Sequence, residues 1–179
     1  MTPRRRGIKA GAPKVEVLVQ SSQWKREAKI AAHLRKAIAA AAARLCEKDA
    51  PKPVTPLPSD AGNVALALAL SDDAAVRALN RDWRGQDKPT NVLSFPAPRG
   101  ESAPGAPVHW GDVIIAYGTT AREAQEGGKP FADHAAHLAI HGFLHLAGYD
   151  HEKDTDAEVM EALERAILAR IDIPDPYAS

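Results

Sequence analysis

The stretch His141-Gly142-Phe143-Leu144-His145-Leu146-Ala147-Gly148-Tyr149-Asp150-His151 decides how this chain is read. Pro130 is a good first-turn residue, and the spacing predicts a helix over 130–147 that Gly148 ends in a left-handed turn. Four histidines lie on that helix. At about 100° per residue, His134, His137 and His145 fall within about 40° of His141, so they form one stripe. His141 and His145, at i and i+4, aim two imidazoles at one point, and the reversal at Gly148 brings His151 in as a third. Three neutral imidazoles with an open fourth position are the donor set of a catalytic zinc, whereas a closed structural site usually has four ligands. An isolated histidine is ordinarily a satisfied polar residue, and His33 and His109 are read that way. His134 is read as exposed or packed near the helix start. His137 has three readings: support for a ligand, a proton shuttle, or the solvated end of the stripe. Asp150 either orients an imidazole by accepting its N–H or simply forms the turn.

The spacing His-x-x-x-His-x-x-Gly-x-x-His is that of the metzincin metalloproteases. Those enzymes carry Glu directly after the first histidine as the general base, and here that position is Gly142. The cradle for a metal is present and the protease base is missing.

Toward the N-terminus, Val15, Val17 and Val19 mark a short strand after a basic, disordered tail over 1–14. Apolar residues at helical spacing from Trp24 to Cys46 predict one amphipathic helix, with Lys25, Arg26, Lys29 and Lys36 on its outer face. A Pro-rich insertion at about 50–62 follows. Val64–Leu70 alternates as a strand, Ser71 is the expected cap of a helix to Trp83, and Gly85 stops it. Val92–Phe95 and Asp112–Ile115 are further strands, separated by a Pro/Gly loop over 96–107. Thr119–Glu126 is a short helix. Thr155 with Glu158 reads as a capping box opening a last helix to Arg170. The expected fold is a single α+β domain over 15–179, a small mixed four-stranded sheet packed with about five helices.

Charge refines the partner class. The 179 residues carry 23 basic and 23 acidic side chains, but residues 1–60 have 13 and 5 of these and residues 131–179 have 3 and 10. The balanced total hides a basic N-terminal pole and an acidic C-terminal one, so it does not exclude nucleic acid. A single cysteine, Cys46, precludes an internal disulfide and fits a reducing cytoplasm, and no apolar run is long enough to span a membrane.

The second informative block is Arg84-Gly85-Gln86-Asp87-Lys88-Pro89-Thr90-Asn91-Val92-Leu93-Ser94-Phe95. Arg84 offers a planar fork of donors suited to phosphate oxygens, with Lys88 beside it. Spacing alone would also allow a C-capping arginine and a solvated loop. Together with Gly111-Asp112-Val113-Ile114-Ile115, the histidine block, and Asp175-Pro176-Tyr177, this order of motifs resembles the YbeY family from about Val64 to Tyr177. Residues 1–60 match it more loosely.

The resemblance implies a bacterial zinc-dependent endoribonuclease specific for single-stranded RNA. It would act in 16S rRNA 3′ end maturation, ribosome biogenesis and late ribosome quality control. It implies one zinc per chain on His141, His145 and His151, a catalytic role for Arg84, and ribosomal RNA, the small ribosomal subunit or its associated proteins as partners. Gly142 agrees with that family and not with a protease. The general base stays open among a metal-activated water, His137, Asp150 and the RNA's own 2′-hydroxyl. Two rivals are a metzincin-like metalloprotease and a ribosome-assembly binding factor with a structural zinc.

Overall fold

The computed structural model describes residues 12–54, 63–98 and 105–178. Most of the tail and of the Pro-rich insertion expected from the sequence lies outside these, although Lys14 already belongs to the first strand. Four strands, β1 (Lys14–Val19), β2 (Val64–Ser71), β3 (Val92–Pro96) and β4 (Val108–Ala116), form one sheet in the order β1-β2-β4-β3. β1 and β4 run parallel to β2, and β3 is antiparallel to β4, so the sheet is mixed as expected. Among the described residues five α-helices accompany it: α1 (Ile30–Leu45), α2 (Asp73–Arg84), α3 (Tyr117–Glu126), α4 (Phe131–Leu146) and α5 (Asp154–Ala169). No helix among the described residues is long and apolar enough to cross a membrane.

Alternation along the strands assigns the two faces. Leu66, Leu68, Leu70, Val92, Val113 and Ile115 point into the main core with α1, α4 and α5. The opposite face is light, because β2 presents Ala65, Ala67 and Ala69 there. It is covered by α2 through Val76, which packs with Leu93 and Ala116. The helix bearing the histidines is thereby pressed between the sheet and three other helices, α1, α3 and α5, with Phe143 and Leu144 fully buried. Each such side chain contributes about 1.5–3 kcal/mol of burial, which fixes the helix that carries the site.

Four local expectations are corrected. The helix expected over Trp24–Cys46 is broken at Lys29, which is left-handed (φ 63°), into a 3-10 turn Ser22–Arg26 and α1. Tertiary anchoring overrides periodicity here: the Trp24 indole N–H donates to the Ser71 carbonyl (2.8 Å), and its ring packs on Tyr117 and Phe131. Ser71 is the buried last residue of β2, and Asp72 caps α2 by accepting the Ala75 N–H (2.9 Å). The Thr155–Glu158 box does not form, since α5 already begins at Asp154 after Lys153; Asp154 and Asp156 instead set carboxylates against the positive helix end. Finally, β4 starts at Val108, four residues before the expected Asp112, because its pairing with β2 continues through a bulge at Trp110. Gly111 makes that possible: at φ 137° any Cβ would lie 2.2 Å from the Phe95 carbonyl oxygen.

Candidate active site

α4 ends at Leu146, and Gly148 adopts a left-handed backbone (φ 90°) that turns the chain back toward the helix. The turn brings His151 to His141 and His145, with ring centroids 5.3 and 4.9 Å away. The His141 and His145 Nε2 atoms are 3.1 Å apart, and one ligand atom from each of the three histidines lies within 4.8 Å of the others. A tetrahedral ion held by imidazole nitrogens at about 2.1 Å requires N···N spacings of about 3.4 Å, so the donor set fits a metal ion.

Both helix histidines are oriented from behind. His141 Nδ1–H donates to Glu164 Oε1 (2.7 Å) and His145 Nδ1–H to the Tyr149 carbonyl (3.1 Å), leaving each Nε2 lone pair facing the common point. Burial, then the neighbouring His141 and His151, pull the His145 pKa down to about 4, so its ring is neutral and ligand-ready at neutral pH. Glu164 is the residue the sequence reading missed. It is 1% exposed, on the inner face of α5 between Met160 and Ile167. Its second oxygen accepts His137 Nε2–H (2.8 Å) and the Tyr177 hydroxyl. Burial alone would raise its pKa, but the hydrogen bonds and charge of His137 and His141 win and bring it to about 2. Burial, with Glu164 beside it, pushes the Tyr177 phenol up and keeps it a donor. The signal was a lone carboxylate on an apolar stripe, which cannot be buried without partners.

The histidine stripe therefore divides three ways. His141 and His145 face the metal position, while His137 serves Glu164 and lines a separate cavity of about 280 Å³ with the C-terminal segment. His134 pairs with Glu123 (2.8 Å), which also accepts the Asn91 amide (3.0 Å). His109 pairs with Asp112 at the surface, and His33 lies 3.9 Å from Asp133.

The three histidines open into a cleft of about 550 Å³ whose wall includes Arg84, Thr90, Asn91, Ser94 and Asp150. Arg84 is the last residue of α2, and Gly85 (φ 67°) caps the helix by returning its N–H to the Arg81 carbonyl (3.0 Å). The following loop is braced: Arg77 grips Asp87 through two bonds of 2.8 and 3.1 Å, and the Asn80 amide donates to the Lys88 carbonyl (2.9 Å). Arg84 itself is exposed and forms no ion pair among the described residues. Lys88 is exposed and does not line the cleft. Asp150 does, but one carboxylate oxygen accepts the backbone N–H of His151 (2.8 Å), so it shapes the turn rather than an imidazole.

Gly142 faces the sheet and does not line this cleft. A Cβ there would lie 2.5 Å from Val113 Cγ1 and 3.1 Å from Ser94 Oγ, whose hydroxyl donates to the Gly142 carbonyl. A glutamate cannot be seated at this position to act as a protease base. Gly142→Ala should lower unfolding free energy by roughly 1–3 kcal/mol, measured by chemical denaturation, because Val113 is buried and β-branched and cannot yield. An unchanged midpoint would mean that the helix can lift off the sheet.

A family model described as Endoribonuclease YbeY matches residues 19–172. The chain belongs to the YbeY family. The match reaches further toward the N-terminus than the motifs quoted from the sequence, and stops short of Asp175-Pro176-Tyr177. A Rhodopseudomonas palustris (strain BisB18) protein named Endoribonuclease YbeY is 52% identical over 168 residues, 93% of either chain. A Bradyrhizobium diazoefficiens protein of the same name is 53% identical over 169 residues, 93% of this chain and 86% of its own. The solution structure of TM1509 from Thermotoga maritima covers 92% of this chain and 96% of its own at 21% identity and a TM-score of 0.54, a likeness of fold.

Proposed function

We propose that this protein is a zinc-dependent endoribonuclease that cuts single-stranded RNA, acting in the cytoplasm on 16S rRNA 3′ end maturation and in ribosome quality control. The observation that carries the reading is the placement on a single cleft of three converging imidazoles and Arg84, which has no ion pair among the described residues. Its support from relatives is the name Endoribonuclease borne by chains about half identical to this one.

His141, His145 and His151 would hold the ion, which when bound polarises a scissile phosphodiester and acidifies a water. Arg84 would grip the non-bridging oxygens of that phosphate and offset charge that grows during cleavage. Glu164 and the Tyr149 carbonyl keep the two helix imidazoles in the tautomer that presents Nε2. Of the side chains considered as base, Asp150 lines the cleft and His137 does not. The long-range attraction for RNA would come from the basic pole, where Lys25, Arg26, Lys29 and Lys36 are all exposed.

Metal analysis of the purified protein, with single-stranded RNA, duplex RNA and a peptide library assayed in parallel, tests the reading. One zinc per chain with cleavage of single-stranded RNA alone is expected. Peptide hydrolysis would favour the protease, and ribosome association with zinc but no cleavage would favour a binding factor. Glu164→Gln supplies a finer check. Zinc affinity, read by competition with a chromophoric chelator, should fall about 10–100-fold because the His141 tautomer is no longer enforced by a carboxylate. Undiminished affinity would show that Glu164 serves packing alone.

A further inference from the structure

The chain has three tryptophans, and two are structural: Trp24 is 1% exposed and Trp110 4%. Trp83 is 72% exposed. It precedes Arg84 on the last turn of α2, and its ring meets Phe95 edge-on, with centroids 5.9 Å apart and planes at 65°. Phe95 belongs to β3, an edge strand of the sheet. The neighbours of Phe95 on that strand, Ser94 and Pro96, line the cleft. One strand thus walls the cleft with one face and props Trp83 with the other. The carboxylates nearest in sequence are already engaged, Asp82 by Arg81 and Asp87 by Arg77, so they add little repulsion toward an incoming phosphodiester chain.

We propose that Trp83 is a stacking platform for an unpaired nucleobase, seating the nucleotide next to the phosphate held by Arg84. This rests on the RNA reading of the cleft and adds a second, base-contacting subsite to it. A strand leaving the cleft past Arg84 crosses the edge of β3 and meets the indole on the next residue. Stacking is indifferent to base identity because every base has a π face, and it requires a base that is not already paired and stacked. The subsite therefore favours single strands without reading sequence.

The arrangement makes its own reporter, since Trp83 is the tryptophan that a bound base can reach. The probe is a short oligouridylate with 2′-O-methyl groups to block cleavage, followed by tryptophan emission and, with a 5′ label, by anisotropy. Binding should quench the emission of the wild-type protein. Trp83→Leu should bind about ten-fold more weakly and lose the quench, Trp83→Tyr should recover most of the affinity, and an oligonucleotide with abasic positions should bind wild type and Trp83→Leu equally. A pre-formed duplex should not quench. Unchanged affinity in Trp83→Leu, or binding without quench in wild type, overturns the subsite while leaving RNA as the ligand. Absence of any binding by wild type overturns the RNA reading itself.

Discussion

The double variant His141→Ala, His145→Ala should carry no zinc and should cleave RNA at background, a loss of at least about a thousand-fold. The magnitude follows from what is removed. Two of three donors go, and a single exposed imidazole, His151, cannot hold an ion against water. On the proposed mechanism several kcal/mol of charge stabilisation in the transition state would depart with the ion, and each 1.36 kcal/mol is ten-fold in rate. The structural cost is bounded. Glu164 loses His141 but keeps His137 and the Tyr177 hydroxyl, so its buried carboxylate is not left bare. His145 gives up only a bond to the Tyr149 carbonyl. Circular dichroism should show a folded protein, and zinc content and cleavage should fall together. Full activity in a metal-free double variant would sink the metal mechanism. His151→Ala separates folding from ligation again, because that ring is exposed and lies outside the core.

What was legible in the sequence was what is decided locally. The i, i+4 pair of histidines and the turn glycine are properties of one helix and its end, and Gly148 takes the left-handed conformation its position demands. Alternation in Val64–Leu70 was likewise enough to place a strand and its heavy face. Features set by distant partners were not legible. The break at Lys29 exists because Trp24 is anchored 47 residues away on Ser71. Glu164 is 23 residues from His141 and belongs to the site only because α5 packs on α4. The division of the stripe has the same cause: His134, His137 and His141 share one face of the helix, and it is Glu123 that takes the first while opposite oxygens of Glu164 take the other two. Trp83 shows the converse. Its spacing resembles that of any helical aromatic, and exposure is known only once α2 is docked through Val76 and not through the indole.

Arg84→Ala should leave fold and zinc content intact while cleavage falls about 10²–10³-fold. The prediction depends on what Arg84 does not touch. It is exposed, forms no ion pair among the described residues and lies outside both hydrophobic clusters, so its truncation strands no partner and should change stability by no more than about 0.5 kcal/mol. Its loop keeps its shape, because the braces are Arg77 on Asp87 and Asn80 on the Lys88 carbonyl. What disappears is a fork of donors on the wall of the cleft that the three imidazoles share, and losing one preorganised donor at developing charge costs about 2.7–4 kcal/mol. The deficit should fall mainly on kcat if the guanidinium meets charge that grows during cleavage, and mainly on KM if it only holds the ground-state phosphate. Arg84→Lys discriminates further: a point charge replaces attraction but not the bidentate fork, so it should restore binding more than rate. Loss of zinc from Arg84→Ala would show that the residue supports the metal cradle, and the phosphate-gripping role would then be wrong.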